Sequence, residues 1–137
     1  MRRIVLALLL SGTLAAPPAR AGLFDDLGAK PGLTRITEGL MRRALADPRI
    51  SATFADADLP RLHLLLAAHL CQVAGGPCKY PGRRMTEAHA GLHLRPRHMN
   101  ALVEDLQDAM SDEGVPFATQ NRLLARLVPF QQEVVQP

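Results

Sequence analysis

The sequence predicts an all-α domain behind a short export segment, and three observations carry that prediction. No run alternates apolar and polar residues over the length of a strand, as a half-buried strand would. Apolar residues recur instead at helical spacing, as in Leu33, Ile36, Leu40, Ala44 and Leu45. Glycine and proline punctuate the chain between such stripes, at Asp47-Pro48, Gly75-Gly76-Pro77 and Gly114-Val115-Pro116. At 137 residues the chain has the length of one domain.

The first segment reads as an address. Arg2 and Arg3 precede an unbroken apolar run over 4–10, and Ala19-Arg20-Ala21 has the small-x-small pattern of a cleavage site. This order predicts a cleaved secretory signal over 1–21 and a mature domain over 22–137 in an exported, periplasmic protein. The competing reading is a membrane anchor. The apolar stretch falls short of the roughly 18 residues a span needs, contains Pro17 and Pro18, and has no cysteine after the cleavage pattern. No stable anchor is therefore expected after cleavage. The signal also accounts for the charge. The chain carries 16 Lys+Arg against 13 Asp+Glu, but Arg2, Arg3 and Arg20 lie in the first segment. Thirteen basic side chains then face thirteen acidic ones, which removes the argument for a nucleic-acid partner. With 47% hydrophobic residues and balanced charge, disorder is excluded.

The elements follow in order. The stripe over 33–45 predicts a helix that ends before Asp47-Pro48. Asp58 is a good N-cap, with Pro60 in the first turn, for a helix reaching about Val73. Its interior over 62–71 is apolar nearly all round, which predicts burial on several sides. Gly75-Gly76-Pro77 stops it. A short helix is predicted over about 84–90, with Gly91 as its stop. The next runs over about 96–112, with Met99, Leu102, Val103, Leu106 and Met110 on one side. The last spans 117–135, kinked or interrupted at Pro129. The sum is a bundle of five or six helices.

Five histidines are available, and a lone histidine on a helix is most often a structural side chain. His89 differs by its setting, Met85-Thr86-Glu87-Ala88-His89-Ala90-Gly91-Leu92, a helix too short to stand without something to lie against. There its ring can donate one N–H to the carbonyl of Met85, one turn back. That would fix the tautomer and aim the other nitrogen outward as a metal ligand. No His-Glu-x-x-His, Cys-x-x-Cys or calcium-type carboxylate cluster competes with it.

From Leu23 to about Val135 the chain resembles the truncated haemoglobins of group 1. The resemblance rests on Leu23-Phe24-Asp25-Asp26-Leu27-Gly28, Leu45-Ala46-Asp47-Pro48, Phe54, Gly75-Gly76-Pro77 with Tyr80-x-Gly82-Arg83, Met85-x-x-Ala88-His89-Ala90-Gly91-Leu92 and Gly114-Val115-Pro116. It implies a two-over-two helical sandwich around non-covalent haem b (iron protoporphyrin IX). It also implies His89 as the proximal iron ligand and Phe54 against the haem face. Tyr80 and Met85 fall in the cofactor-binding blocks.

The distal positions depart from the family's best-known pattern. Where many members carry a Phe-Tyr pair, this chain has Leu40 and Met41. Where many carry glutamine it has Leu66, with Leu62 one turn earlier. The ligand side is thus expected to be apolar, formed by Met41, Leu62, Leu66 and Leu70. His69 either lines the pocket or sits at a helix contact or the haem edge, the latter being favoured here. Met41 as a sixth iron ligand is disfavoured. Arg61 either pairs with a haem propionate or is solvated. His63 is expected to point away from the iron, and His93 and His98 to face solvent.

Cys71 and Cys78, seven apart across a tight reversal in an exported chain, are most simply a disulfide, with two unpaired thiols as the alternative. A Cys-x-x-x-Gly-Gly-Pro-Cys pattern of this kind is similar to that of exported relatives. No Cys-x-x-Cys-His motif is present for c-type attachment. The reading that follows is a five-coordinate haem protein that binds dioxygen, nitric oxide or carbon monoxide reversibly. The alternatives are a nitric-oxide-converting or other redox haem enzyme, or a haem-handling electron-transfer module with a redox partner protein. No acid–base group is placed for peroxidase work.

Overall fold

The computed structural model describes residues 22–135. Residues 1–21, for which the sequence predicts a cleaved export signal, lie outside the described residues, as do the last two. Every regular element among the described residues is helical: α1 (Leu23–Asp26), α2 (Ala29–Ala46), α3 (Leu59–Val73), α4 (Met85–Ala88), α5 (Pro96–Asp112), α6 (Phe117–Leu127) and α7 (Gln131–Val134). Two 3-10 turns, Ser51–Phe54 and Val128–Phe130, complete the set.

The helices begin and end where local chemistry requires. The Asp58 carboxylate accepts the Arg61 N–H at 3.1 Å, capping α3. Gly28, Gly75 and Gly91 take positive φ at turns that terminate or redirect helices. Pro129 interrupts the last helix, which becomes α6, a 3-10 turn and α7. The helix predicted over 84–90 is shorter than expected. It ends at Ala88, and His89 begins a turn through Leu92. Alpha1 and the 3-10 turn at Ser51–Phe54 were not assigned from the sequence.

The helices pair as two layers. Alpha2 packs on α3 and crosses α5, while α6 packs on α5 and α3, and α1 closes one end against α2 and α6. Leu33, Ile36 and Leu40 of α2 meet Leu70 of α3, Leu106 and Met110 of α5 and Leu123 of α6 in one core. Small residues let α2 and α5 approach. A Cβ built on Gly39 would stand 3.2 Å from the Ala109 Cβ. The expected apolar stripe of α5 is therefore shifted: Ala101, Asp105, Leu106, Ala109 and Met110 are buried, while Met99, Leu102 and Val103 are half-buried. Alpha3 also differs from expectation. Only its last turn, His69 to Cys71, is buried, and Leu64 is 71% exposed. Two neighbouring helices cannot cover the whole circumference of a third.

Ion pairs clip the α2–α5 crossing: Arg35 with Glu113 at 2.6 Å, Arg43 with Asp112, and Arg49 of the following turn with Glu104 at 2.5 Å. Between them Asp105 is buried, with Oδ2 lacking a partner among the described residues. Burial pushes its carboxyl above the ordinary range, and Asp47 adds to this, against the pull of Arg49 and Arg43. As pH rises the unfolded chain loses this proton first, so ionised Asp105 weighs against the fold at neutral pH and not below about pH 3. Asp105→Asn should therefore raise the melting temperature at neutral pH and leave it unchanged in acid. A fall at neutral pH would mean that attraction to the arginines dominates.

Candidate functional site

The site is built where the end of α3, the reversal after it and α4 meet. The His89 ring donates from Nδ1 to the Met85 carbonyl at 2.7 Å. This is the bond that the spacing predicted. In the neutral ring this bond leaves Nε2 free to act as a donor to a metal. Met85, Ala88 and His89 are all half-buried. No group of three His, Cys, Asp or Glu side chains among the described residues could hold a metal between them. A metal at His89 must therefore bring its own chelate, which an iron porphyrin does. Leu62, Leu65 and Leu66 of α3 are half-buried and lie at helical spacing with His69, which is close enough to His89 to feel its charge. The donor, and apolar side chains on the neighbouring helix, suit haem.

His69 is buried, and its ring stands edge-on between Tyr80, at 5.4 Å between centroids, and Phe130, at 4.8 Å. The favoured reading placed it at a helix contact or the haem edge; its ring partners here come from the loop after α3 and from the 3-10 turn at Val128–Phe130. Burial holds the His69 imidazole below its ordinary pKa, and the nearby His89 contributes. The Tyr80 N–H donates to Gln72 Oε1 at 2.6 Å, which ties the loop back to α3. Cys71 and Cys78 are paired across the reversal with Cα atoms 5.8 Å apart.

The other expected residues spread over the fold. Met41 is buried in α2. Phe54, half-buried, packs with Leu102 on a small cluster of Ala44, Ile50 and Ala101. Leu62 is half-buried, and Leu66 packs against the main core. Arg61 is exposed. Leu70 does not belong to an open pocket face; it is 2% exposed within the main core. His93 is exposed. His98 departs from expectation: it is half-buried and accepts the Arg95 N–H at 3.0 Å, so it starts α5 rather than facing solvent. His63 Nε2 is buried without a partner among the described residues.

Two residues were missed, Gln72 and Phe130. Phe130 follows Pro129, and the break that proline imposes is the signal that could have placed it away from the α6 axis. Gln72 carried no signal beyond its place in the last turn of α3.

A family model described as bacterial-like globin matches residues 22–136. A group 1 truncated haemoglobin of Nostoc commune is 31% identical over 113 residues, spanning 82% of this chain and 96% of that protein. The chain belongs to the group 1 truncated haemoglobins. Another member, from Synechocystis sp., is 35% identical over 98 residues, 69% of this chain and 79% of the relative. The Fe(III) form of the truncated haemoglobin from Tetrahymena pyriformis superposes with a TM-score of 0.82 at 25% identity, covering 85% of this chain and all of that one. The 2/2 haemoglobin of Synechococcus sp. PCC 7002, described in its cyanomet state with covalently attached haem, superposes at 0.78 and 23% identity, over 84% and 98% of the two chains. As a truncated haemoglobin the chain is a haem-binding globin with the 2/2 fold.

The fold depends on close packing at the reversal. A Cβ on Gly76 would lie 2.6 Å from Phe24 Cε2 and 2.7 Å from Cys71 Sγ. Gly76→Ala should lower stability by about 1–3 kcal/mol, the usual range for overpacking. Denaturant unfolding measures this, and an unchanged midpoint would contradict the crowding.

Proposed function

We propose that this truncated haemoglobin holds haem b non-covalently through His89 Nε2 and binds a diatomic gas reversibly beside Met41, Leu62 and Leu66. One observation carries the reading: the 2.7 Å bond from His89 Nδ1 to the Met85 carbonyl, which orients the ring and raises the basicity of its other nitrogen. Haem supplies an iron that accepts one protein ligand and offers a further position to dioxygen, nitric oxide or carbon monoxide. The chain's three distal positions, Met41, Leu62 and Leu66, would offer the bound gas no hydrogen-bond donor. Both cysteines are engaged with each other and none is free, so no thiol remains to add to a haem vinyl group. That supports a haem without a thioether link.

The His69 ring is packed between Tyr80 and Phe130, which supports a five-coordinate iron over ligation by His69. Spectra of the reduced, unliganded protein test this. A five-coordinate high-spin spectrum that shifts with carbon monoxide is expected. A six-coordinate low-spin spectrum would assign Met41 or His69 to the iron instead.

We also propose export and signal removal before Gly22, on the strength of Arg2, Arg3, residues 4–10 and Ala19-Arg20-Ala21. Among the described residues no helix is long and apolar enough to cross a membrane. A second reading, an electron-transfer module, draws on charge. Residues 79–98 hold Lys79, Arg83, Arg84, Arg95 and Arg97 against Glu87 alone. Lys79, Arg83, Arg95 and Arg97 are exposed, without carboxylate partners among the described residues. A redox partner with an acidic face suits that segment. Rapid haem reduction by such a protein, slowed by salt, would favour this reading over gas storage.

A further inference from the structure

Alpha4 has four residues and cannot hold its own place. It packs on α7, and the chain reaches it from α3 through residues 79–84, which form no helix. That approach is tied down at successive points. Cys78 is paired with Cys71 in the buried last turn of α3. Two residues on, the Tyr80 N–H bonds Gln72 Oε1 at 2.6 Å, and the Tyr80 ring meets His69. Gly82 then lies so close beneath the Tyr80 ring that a Cβ there would collide with it. Three residues later Met85 presents the carbonyl that orients His89. The first tie is covalent, and the others follow from where it puts the chain.

We propose that the Cys71–Cys78 disulfide is a positioning element for His89, with Tyr80 transmitting its effect, so that the oxidation state of the pair sets how firmly haem is retained. This rests on the reading of His89 as the iron ligand. In the oxidised state the approach to α4 is short and aimed. When a dithiol reduces the bridge, the S–S bond breaks, two thiols form, and the reagent is oxidised to its cyclic disulfide. The free approach to α4 then lengthens from Cys78 back to the end of α3, and Tyr80 and Met85 lose their anchor. An exported chain would thus tighten its grip on haem on oxidation.

The test is haem transfer from the carbon-monoxide form of the reduced protein to excess apomyoglobin, with and without dithiothreitol, alkylation and mass measurement reporting the thiols. Using that form keeps the iron in one state throughout. Reduction should speed haem loss by about tenfold, the lower end of what loss of a ligand's supporting partners brings. Cys71→Ala/Cys78→Ala should lose haem at the fast rate with no further response to dithiothreitol. Tyr80→Ala, its bridge intact, should also be fast, and Tyr80→Phe should be restored. The iron–histidine stretching band of the unliganded reduced protein should shift in the fast variants, which a mere loss of fold stability would not produce. If the cysteine variant fails to fold, wild type with and without dithiothreitol and the Tyr80 pair decide the matter. Equal rates before and after reduction, with the band unmoved, would overturn the proposal while leaving His89 as ligand. Alkylation of both thiols in protein taken from the periplasm would also overturn it. A wild type that takes up no haem would fail the reading of His89 first, and this proposal with it.

Discussion

His89→Ala should leave a folded globin that scarcely retains haem. Removing a ligand's hydrogen-bonded support alone lowers metal affinity by about 10–100-fold, so removing the ligand itself should exceed that range. The remaining contacts, apolar faces such as Leu62 and Leu66, are not enough to replace a bond to iron. Helical circular dichroism should persist, because His89 lies beyond the last residue of α4 and is absent from both core clusters. Added imidazole should restore the spectrum by filling the place of the ring. Haem titration of the apoprotein measures the loss. Wild-type affinity in the variant would reject the proximal assignment.

Leu66→Gln should slow dioxygen release by about one to two orders of magnitude, the effect of a hydrogen bond worth about 1–3 kcal/mol in a dry site. The wild-type positions Met41, Leu62 and Leu66 carry no N–H or O–H side-chain donor. A polarised diatomic ligand would meet only apolar groups there and should leave quickly. Carbon monoxide, which draws less negative charge, should respond less to the same change. Met41→Tyr offers a donor from α2 and should act in the same direction. Flash photolysis with both gases reads the ratio. A variant in which dioxygen release is unchanged would show that residue 66 does not face the ligand.

Long helices were legible because period and punctuation agree. The Asp58 cap with Pro60, the Gly75-Gly76-Pro77 stop and the span over 96–112 are local signals that tertiary packing did not override. The bond from His89 to Met85 was legible for the same reason, since it joins residues four apart. What sequence reasoning missed depends on partners distant along the chain. Alpha5 buries Asp105 and Ala109 because Gly39 of α2 lets the two helices close. Leu70 turned out to be core because α2 and α6 converge on the end of α3, and nothing within 62–71 distinguishes it from Leu66. His98 looked like a solvent-facing histidine, yet its ring accepts from the backbone at the start of α5. Phe130 reaches His69 over 61 positions, a contact that periodicity cannot express.

The iron–histidine stretching band in the resonance Raman spectrum of the reduced, unliganded protein tests the central claim most directly. The wild type should show one such band from a neutral, hydrogen-bonded imidazole. His89→Ala should lack it, and should regain a band at a different frequency only when imidazole is added. A band that survives unchanged in His89→Ala would place the iron on another histidine and contradict the account.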